Sequence, residues 1–124
     1  MLGHQSLVAF VPVGDLAAAR AFYADVLGLR VTHEDPYALV LDAGGTVLRL
    51  AQVDGLRPQP FTVAGWIVSD IEVTVDTLAA QGVGFVRYDG MDQDPKGIWT
   101  APDGGRVAWF TDPDGNILSL TRPS

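Results

Sequence analysis

At 124 residues, with 48% apolar and 19% charged residues, the chain has the size and composition of one globular domain able to bury a core, which excludes a disordered segment. Its 15 acidic and 8 basic residues give a formal charge of −7, which repels phosphate backbones and anionic membranes and argues against nucleic acid or membrane as partner. No apolar run approaches the ~20 residues of a membrane span, the N-terminus lacks the basic flank and cleavage site of a signal peptide, and cysteine is absent, so cytoplasmic residence without disulfides or thiolate chemistry is expected.

The first predicted element is a strand, SLVAFVPV (residues 6–13), ended by Gly14 and the N-cap candidate Asp15. A helix follows in DLAAARAFYADVLG, where Leu16, Ala19, Phe22, Tyr23, Val26 and Leu27 recur at spacings of three and four and Gly28 suits the C-terminus. Residues 29–34, 37–42 and 46–52 read as three strands, broken by Asp35-Pro36 and Ala43-Gly44-Gly45. The first half therefore reads β-α-β-β-β.

The second half repeats that plan. FTVAGWIV (residues 61–68) reads as a strand, Asp70 caps a helix whose stripe is Ile71, Val75, Leu78 and Ala79, and Gly82 stops it. Strands are then expected at 83–88, 98–100, 106–111 and 117–121, with a Gly/Asp/Pro-rich loop over 89–105. Asp15-Leu16 recurs as Asp70-Ile71, and Gly28 as Gly82, which marks an internal repeat of about 55 residues. The expected organisation is one domain over 1–124, with a first module at 1–53, a proline-bearing linker at 54–60 and a second module at 61–124.

The densest motif is DPDGN, residues 112–116, between two apolar runs. Proline fixes one φ, glycine supplies a positive one, and Asx side chains bond their own backbone, so the motif reads as a hairpin turn. A calcium loop would carry Gly at its sixth position and Glu at its twelfth. Counted from Asp112, those positions hold Ile117 and Pro123.

VGDLAAARAFYADVLGL in the first half and FTDPDGNILSL closing the second resemble the vicinal oxygen chelate superfamily, which contains the glyoxalases, the extradiol dioxygenases and the bleomycin-resistance proteins. The resemblance covers the whole chain and implies an α+β fold: two βαβββ modules whose curved mixed sheets enclose a cavity, with helices outside, in a protein that forms homodimers. Metal-dependent members place His, Glu or Gln ligands on four strands, and the family spacing carries those positions onto Val8, Arg49, Ala64 and Ser119. Windows of two residues either side of each hold no His, Asp, Glu, Asn or Gln. Divalent cations need such groups, so neither a metal nor another cofactor is expected. His4 lies roughly 13 Å from Val8 at strand rise, and His33 beside Glu34 reads as solvated or capping.

Strand alternation puts Ser6, Val8 and Phe10, then Val47, Arg49 and Ala51, then Thr62, Ala64 and Trp66 on the concave face, with Trp109 also turned inward. The candidate ligand-binding residues are accordingly Phe10, Arg49, Trp66, Trp99, Trp109 and Ser119, with Trp99 as an exposed or lid residue. Each has a structural alternative: Trp66 and Trp109 also suit a closed core, and Arg49 between two leucines also suits an exposed strand face. Three readings follow, in this order. The first is a metal-free small-molecule-binding protein of the bleomycin-resistance kind, sequestering a planar or cationic drug or natural product, although Arg49 favours an anion. The others are a metal-free enzyme holding an anionic substrate on Arg49, and a metal-dependent glyoxalase or dioxygenase. No catalytic residue is assigned, because the expected cavity face carries no general base and two histidines without cysteine assemble no triad.

Overall fold

The computed structural model describes all 124 residues and divides them into two units, Met1–Arg57 and Pro58–Ser124. In the first unit a 3-10 turn (Leu2–His4) precedes β1 (Val8–Val13). Asp15 then accepts hydrogen bonds from the amides of Ala17 (2.9 Å) and Ala18 (3.2 Å), filling the unpaired donors at the start of α1 (Leu16–Arg20). The helix continues as a π-helical stretch, Ala21–Val26, and Gly28 ends it at φ +79°, a left-handed conformation that favours glycine. The expected single helix is thus helical throughout, with a widened second half. β2 (Arg30–Glu34), β3 (Ala38–Ala43) and β4 (Thr46–Gln52) complete a sheet of order β1-β4-β3-β2, parallel between β1 and β4 and antiparallel elsewhere.

The second unit repeats this order. Asp70 accepts from the Val73 amide at 3.1 Å and starts α2 (Ile71–Ala80) after β5 (Thr62–Ile67). The remaining strands are β6 (Trp99–Thr100), β7 (Arg106–Thr111) and β8 (Ile117–Arg122), in the order β5-β8-β7-β6 with β5 parallel to β8. No helix is long and apolar enough to cross a membrane.

Period-two alternation decides what each sheet buries. Val11 and Val13 of β1, Leu39 and Leu41 of β3, and Leu48 and Leu50 of β4 form one buried face, covered by Ala19 and Tyr23. In the second unit Ile71, Val75 and Leu78 of α2 cover Ala108, Phe110, Leu118 and Leu120. Each sheet therefore has one covered face and one face without a helix on it.

The strand expected at residues 83–88 does not form. Only Phe85 bridges to Phe110, and the Val86 amide donates to the Trp109 carbonyl at 2.8 Å. The Gln93 side chain substitutes for the missing ladder: its Nε2 donates to the carbonyls of Val86 and Gly97 at 2.9 Å each, and its Oε1 accepts from the Tyr88 amide at 2.7 Å. The outer flank of β7 is thus shared by Phe85-Val86 and β6.

DPDGN is a turn. Asp112 is buried, and its Oδ1 accepts from the amides of Asp114 and Asn116 at 2.9 Å each, while its Oδ2 accepts from Asn116 Nδ2 at 2.9 Å. Gly115 lies at φ +89°. A carboxylate so engaged with its own backbone holds the hairpin.

The β2–β3 turn uses the same device at Asp35. The Tyr37 amide (2.8 Å), His33 Nε2 (3.0 Å) and the Ala38 amide (2.9 Å) hold its carboxyl below the ordinary value of 3.8. A depressed folded-state value means that the charged form stabilises the fold above the unfolded pKa, and that this contribution is lost as pH falls through the folded value. Asp35→Asn keeps one acceptor and removes the charge. The gap in urea midpoint between wild type and this variant is expected to narrow as pH falls below about 4; a gap independent of pH would contradict this account.

Candidate functional site

In the first unit the uncovered sheet face carries a row set by register: Phe10 on β1, Arg49 on β4, Val40 on β3 and His33 on β2 lie opposite one another in turn. The neighbouring row runs Val8, Val47, Asp42 and Arg30, the last two ion-paired at 3.4 Å. Phe10 is 61% exposed, and Val8 and Val47 are exposed as well, so the face is apolar and open. At its centre Arg49 is half-buried and enters none of the chain's ion pairs. A guanidinium presents five donors in a fixed fork, suited to carboxylate or phosphate. On this face the structure offers an apolar strip around one unpaired cation, Arg49, with the ion pair of Arg30 and Asp42 at its edge.

His33 shares that face, which the sequence reading had assigned only to solvent or a cap. Asp35 bonds its Nε2 at 3.0 Å, and its side chain is 60% exposed. The β-bulge between Val31 and His33 turns it to the Val40 side, and such a bulge cannot be read from sequence.

The second unit's uncovered face carries aromatic residues. Ser119 lies opposite Trp109 and Gly65; Thr121 lies opposite Val107, which lies opposite Trp99. The rings of Trp99 and Trp109 are 6.3 Å apart and tilted by 37°, and Tyr88 meets Trp109 edge-on at 5.4 Å. Trp99 is therefore half-buried, in the short strand expected near residues 98–100, and joined to this cluster, where an exposed or lid residue was expected. Tyr88 had not been singled out, since its position depends on the Gln93 bracket rather than on any local pattern.

Trp66 requires correction. Residues Thr62 and Ala64 flank a β-bulge, after which Trp66 falls opposite Leu120 on the covered face, and its ring stacks on Phe110 at 6.4 Å. One extra residue reverses the side to which every later residue points. Trp66 is half-buried on the covered face, Ala64 lies on that face with it, and Gly65 occupies the open-face position expected for Ala64. The structure thus places Phe10 and Arg49 on the open face of one sheet, and Trp99, Trp109 and Ser119 on the open face of the other.

The residues at the family's metal positions do not suit a divalent ion. Val8, Arg49 and Ser119, with Gly65 in place of Ala64, supply one hydroxyl and one fixed cation. No group of three or more His, Asp or Glu side chains is arranged to hold a metal.

Gly65 has a steric role. A Cβ built there would overlap Ser119 Oγ and lie 3.2 Å from the Ser119 carbonyl oxygen, so the absence of a side chain makes room for the hydroxyl. Gly65→Ala is expected to cost about 1–2 kcal/mol of stability by overpacking. A double-mutant cycle with Ser119→Ala, read by urea unfolding, should recover part of that loss as coupling; strict additivity would show that the two positions do not compete for space.

Residues 4–120 match the family model described as the Glyoxalase/Bleomycin resistance protein/Dioxygenase superfamily. None of the curated proteins matches the sequence. Among solved structures, a member of that superfamily from Sphaerobacter thermophilus DSM 20745 is 27% identical, with 98% of this chain and 99% of that one covered and a TM-score of 0.77. TnmS3, an antibiotic binding protein from Streptomyces sp. CB03234, is also 27% identical over 100% of this chain and 99% of its own, with a TM-score of 0.71. The lactoylglutathione lyase from Agrobacterium tumefaciens, at 19% identity, 96% and 93% coverage and a TM-score of 0.75, shares the fold.

Proposed function

The chain belongs to the glyoxalase/bleomycin resistance protein/dioxygenase superfamily, and on that premise we propose that it is a metal-free protein that binds and sequesters a small planar drug or natural product carrying an anionic group. The observation that carries this reading is Arg49, a half-buried guanidinium without a carboxylate partner, central in an apolar sheet face beside Phe10. A charge so placed is costly unless a ligand compensates it. On the second unit, Trp99, Trp109 and Ser119 form an aromatic surface of their own, where flat rings can stack and one hydroxyl can set orientation. The likeness to an antibiotic binding protein along the full chain supports this reading. A cysteine-free sequence suits the cytoplasm, and a charge of −7 suits a small-molecule partner rather than nucleic acid.

A second reading, a metal-free enzyme that holds its anionic substrate on Arg49, has one observation in its favour. His33, oriented by Asp35, lies in the same row as Arg49 with β3 between them, so a titratable group shares the face.

Titration of planar carboxylates followed by tryptophan quenching tests the first reading. Arg49→Gln is expected to weaken the best of them about ten- to a hundredfold, the effect of losing a charge-assisted contact of about 1.5–3 kcal/mol. Unchanged affinity for every anionic ligand would relegate Arg49 to a structural role. Ligand recovered intact after prolonged incubation supports sequestration, whereas conversion that disappears in His33→Gln moves the protein to the second reading.

The protein is further proposed to work as a homodimer. Val8, Phe10 and Val47 are neighbouring exposed residues on the first unit's open sheet face and give an apolar surface larger than scattered single residues would. Sedimentation at micromolar concentration is expected to give about 26 kDa, twice the chain mass of 13.2 kDa; a 13.2 kDa species would remove any site shared between copies.

A further inference from the structure

On the helix side of the second unit's sheet, away from Trp109 and Ser119, α2 and residues 83–96 border an open groove of about 450 Å³. Its lining includes Val75 and Val83, both buried, and Phe85, whose ring packs at 5.7 Å on Phe110. The exposed Ala79 on α2 leaves space that a larger side chain would fill.

Two cations border this apolar surface, and they differ in how they are satisfied. Lys96 Nζ is bonded to both oxygens of Asp76, at 2.5 and 2.7 Å, so that pair is self-compensated. Arg87 has no carboxylate partner: its guanidinium donates to the carbonyls of Asp94 (2.9 Å), Gln93 (3.3 Å) and Pro95 (3.5 Å). Those bonds fix the group in place while neutral oxygens leave its charge uncancelled, and they engage three of its five donors. Asp94, the acid next to that loop contact, is turned to Arg106 at 3.6 Å. The groove thus joins an apolar floor to one rigid, uncompensated cation.

We propose that this groove is a binding site for an amphipathic monocarboxylate, with the carboxylate on the Arg87 guanidinium and an aryl or alkyl body against Val75, Val83 and Phe85. A cavity of this size, with five apolar lining residues, one paired Lys96–Asp76 couple and one cation left without a carboxylate, has the character of a small-molecule site. The site is separate from the sheet faces that carry Arg49 and Trp109, and it does not rest on the function proposed for them.

4-Phenylbutyrate, titrated into the ¹⁵N-labelled full chain and followed by amide shifts, is the test. Saturable shifts are expected at Ala79, Phe85, Arg87 and Lys96. The uncharged analogue 4-phenylbutan-1-ol should bind at least fivefold more weakly. Ala79→Phe fills the groove from an exposed helix position and should abolish those shifts; Arg87→Gln should weaken binding at least fivefold, and Arg49→Gln should leave it unchanged. Because Arg87 also holds the 93–95 loop, Ala79→Phe decides the question if Arg87→Gln loosens that loop. Shifts confined to Phe10, Arg49 or Trp109, shifts that survive Ala79→Phe, or equal binding of acid and alcohol would each overturn the proposal.

Discussion

Aspartate side chains that accept hydrogen bonds from the backbone a few residues ahead hold most of this chain's changes of direction. Asp15 and Asp70 start the two helices, Asp35 and Asp42 close the turns on either side of β3, and Asp94, Asp103 and Asp112 fix the loops around β6 and β7. The short Asx side chain reaches an amide two to four residues on, which the longer glutamate does less well. Of the fifteen acidic residues only Glu34 and Glu72 are glutamate. Seven of the fifteen carboxylates thus have a local structural cause, engaged by backbone amides.

Those turns fix where each strand begins, and alternation does the rest. A helix covers one face of each sheet and leaves the other open, so the same period-two pattern that builds the core also selects the residues available for contact. In the first unit the open-face positions of Phe10 and Arg49 are legible from sequence because β1 and β4 pair without interruption. In the second unit the reading fails at Trp66, although local composition favours a strand there. The bulge near Val63 has no composition signal, and it sends an aromatic residue from the open face to the covered one. Element type is a local property; face is cumulative, and one inserted residue reverses it.

Residues 83–88 fail for a related reason. Their β-branched and aromatic residues satisfy a strand pattern, yet a strand also needs a partner along its length. Here the flank of β7 is shared with Trp99 and Thr100, and a single glutamine amide completes the bonds. That bracket in turn fixes Tyr88 against Trp109 and carries the carbonyls that anchor Arg87. Both aromatic cluster and groove therefore depend on Gln93, a residue that nothing in the sequence marks.

Arg49 links this scaffold to the chemistry proposed for it. Where the resemblance places a metal ligand, a guanidinium supplies positive charge without metal. It can still attract an oxyanion and orient it through its fork of donors. It has no empty coordination position, so it cannot polarise a carbonyl or lower the pKa of a bound water as a Lewis acid does. A site altered in this way keeps the electrostatic part of metal-dependent recognition and lacks an open coordination position. Turnover on this face would then require a proton-transfer group of its own, and register brings two onto the face: His33, held by Asp35 and in the row of Arg49, and Asp42, ion-paired to Arg30 in the next row.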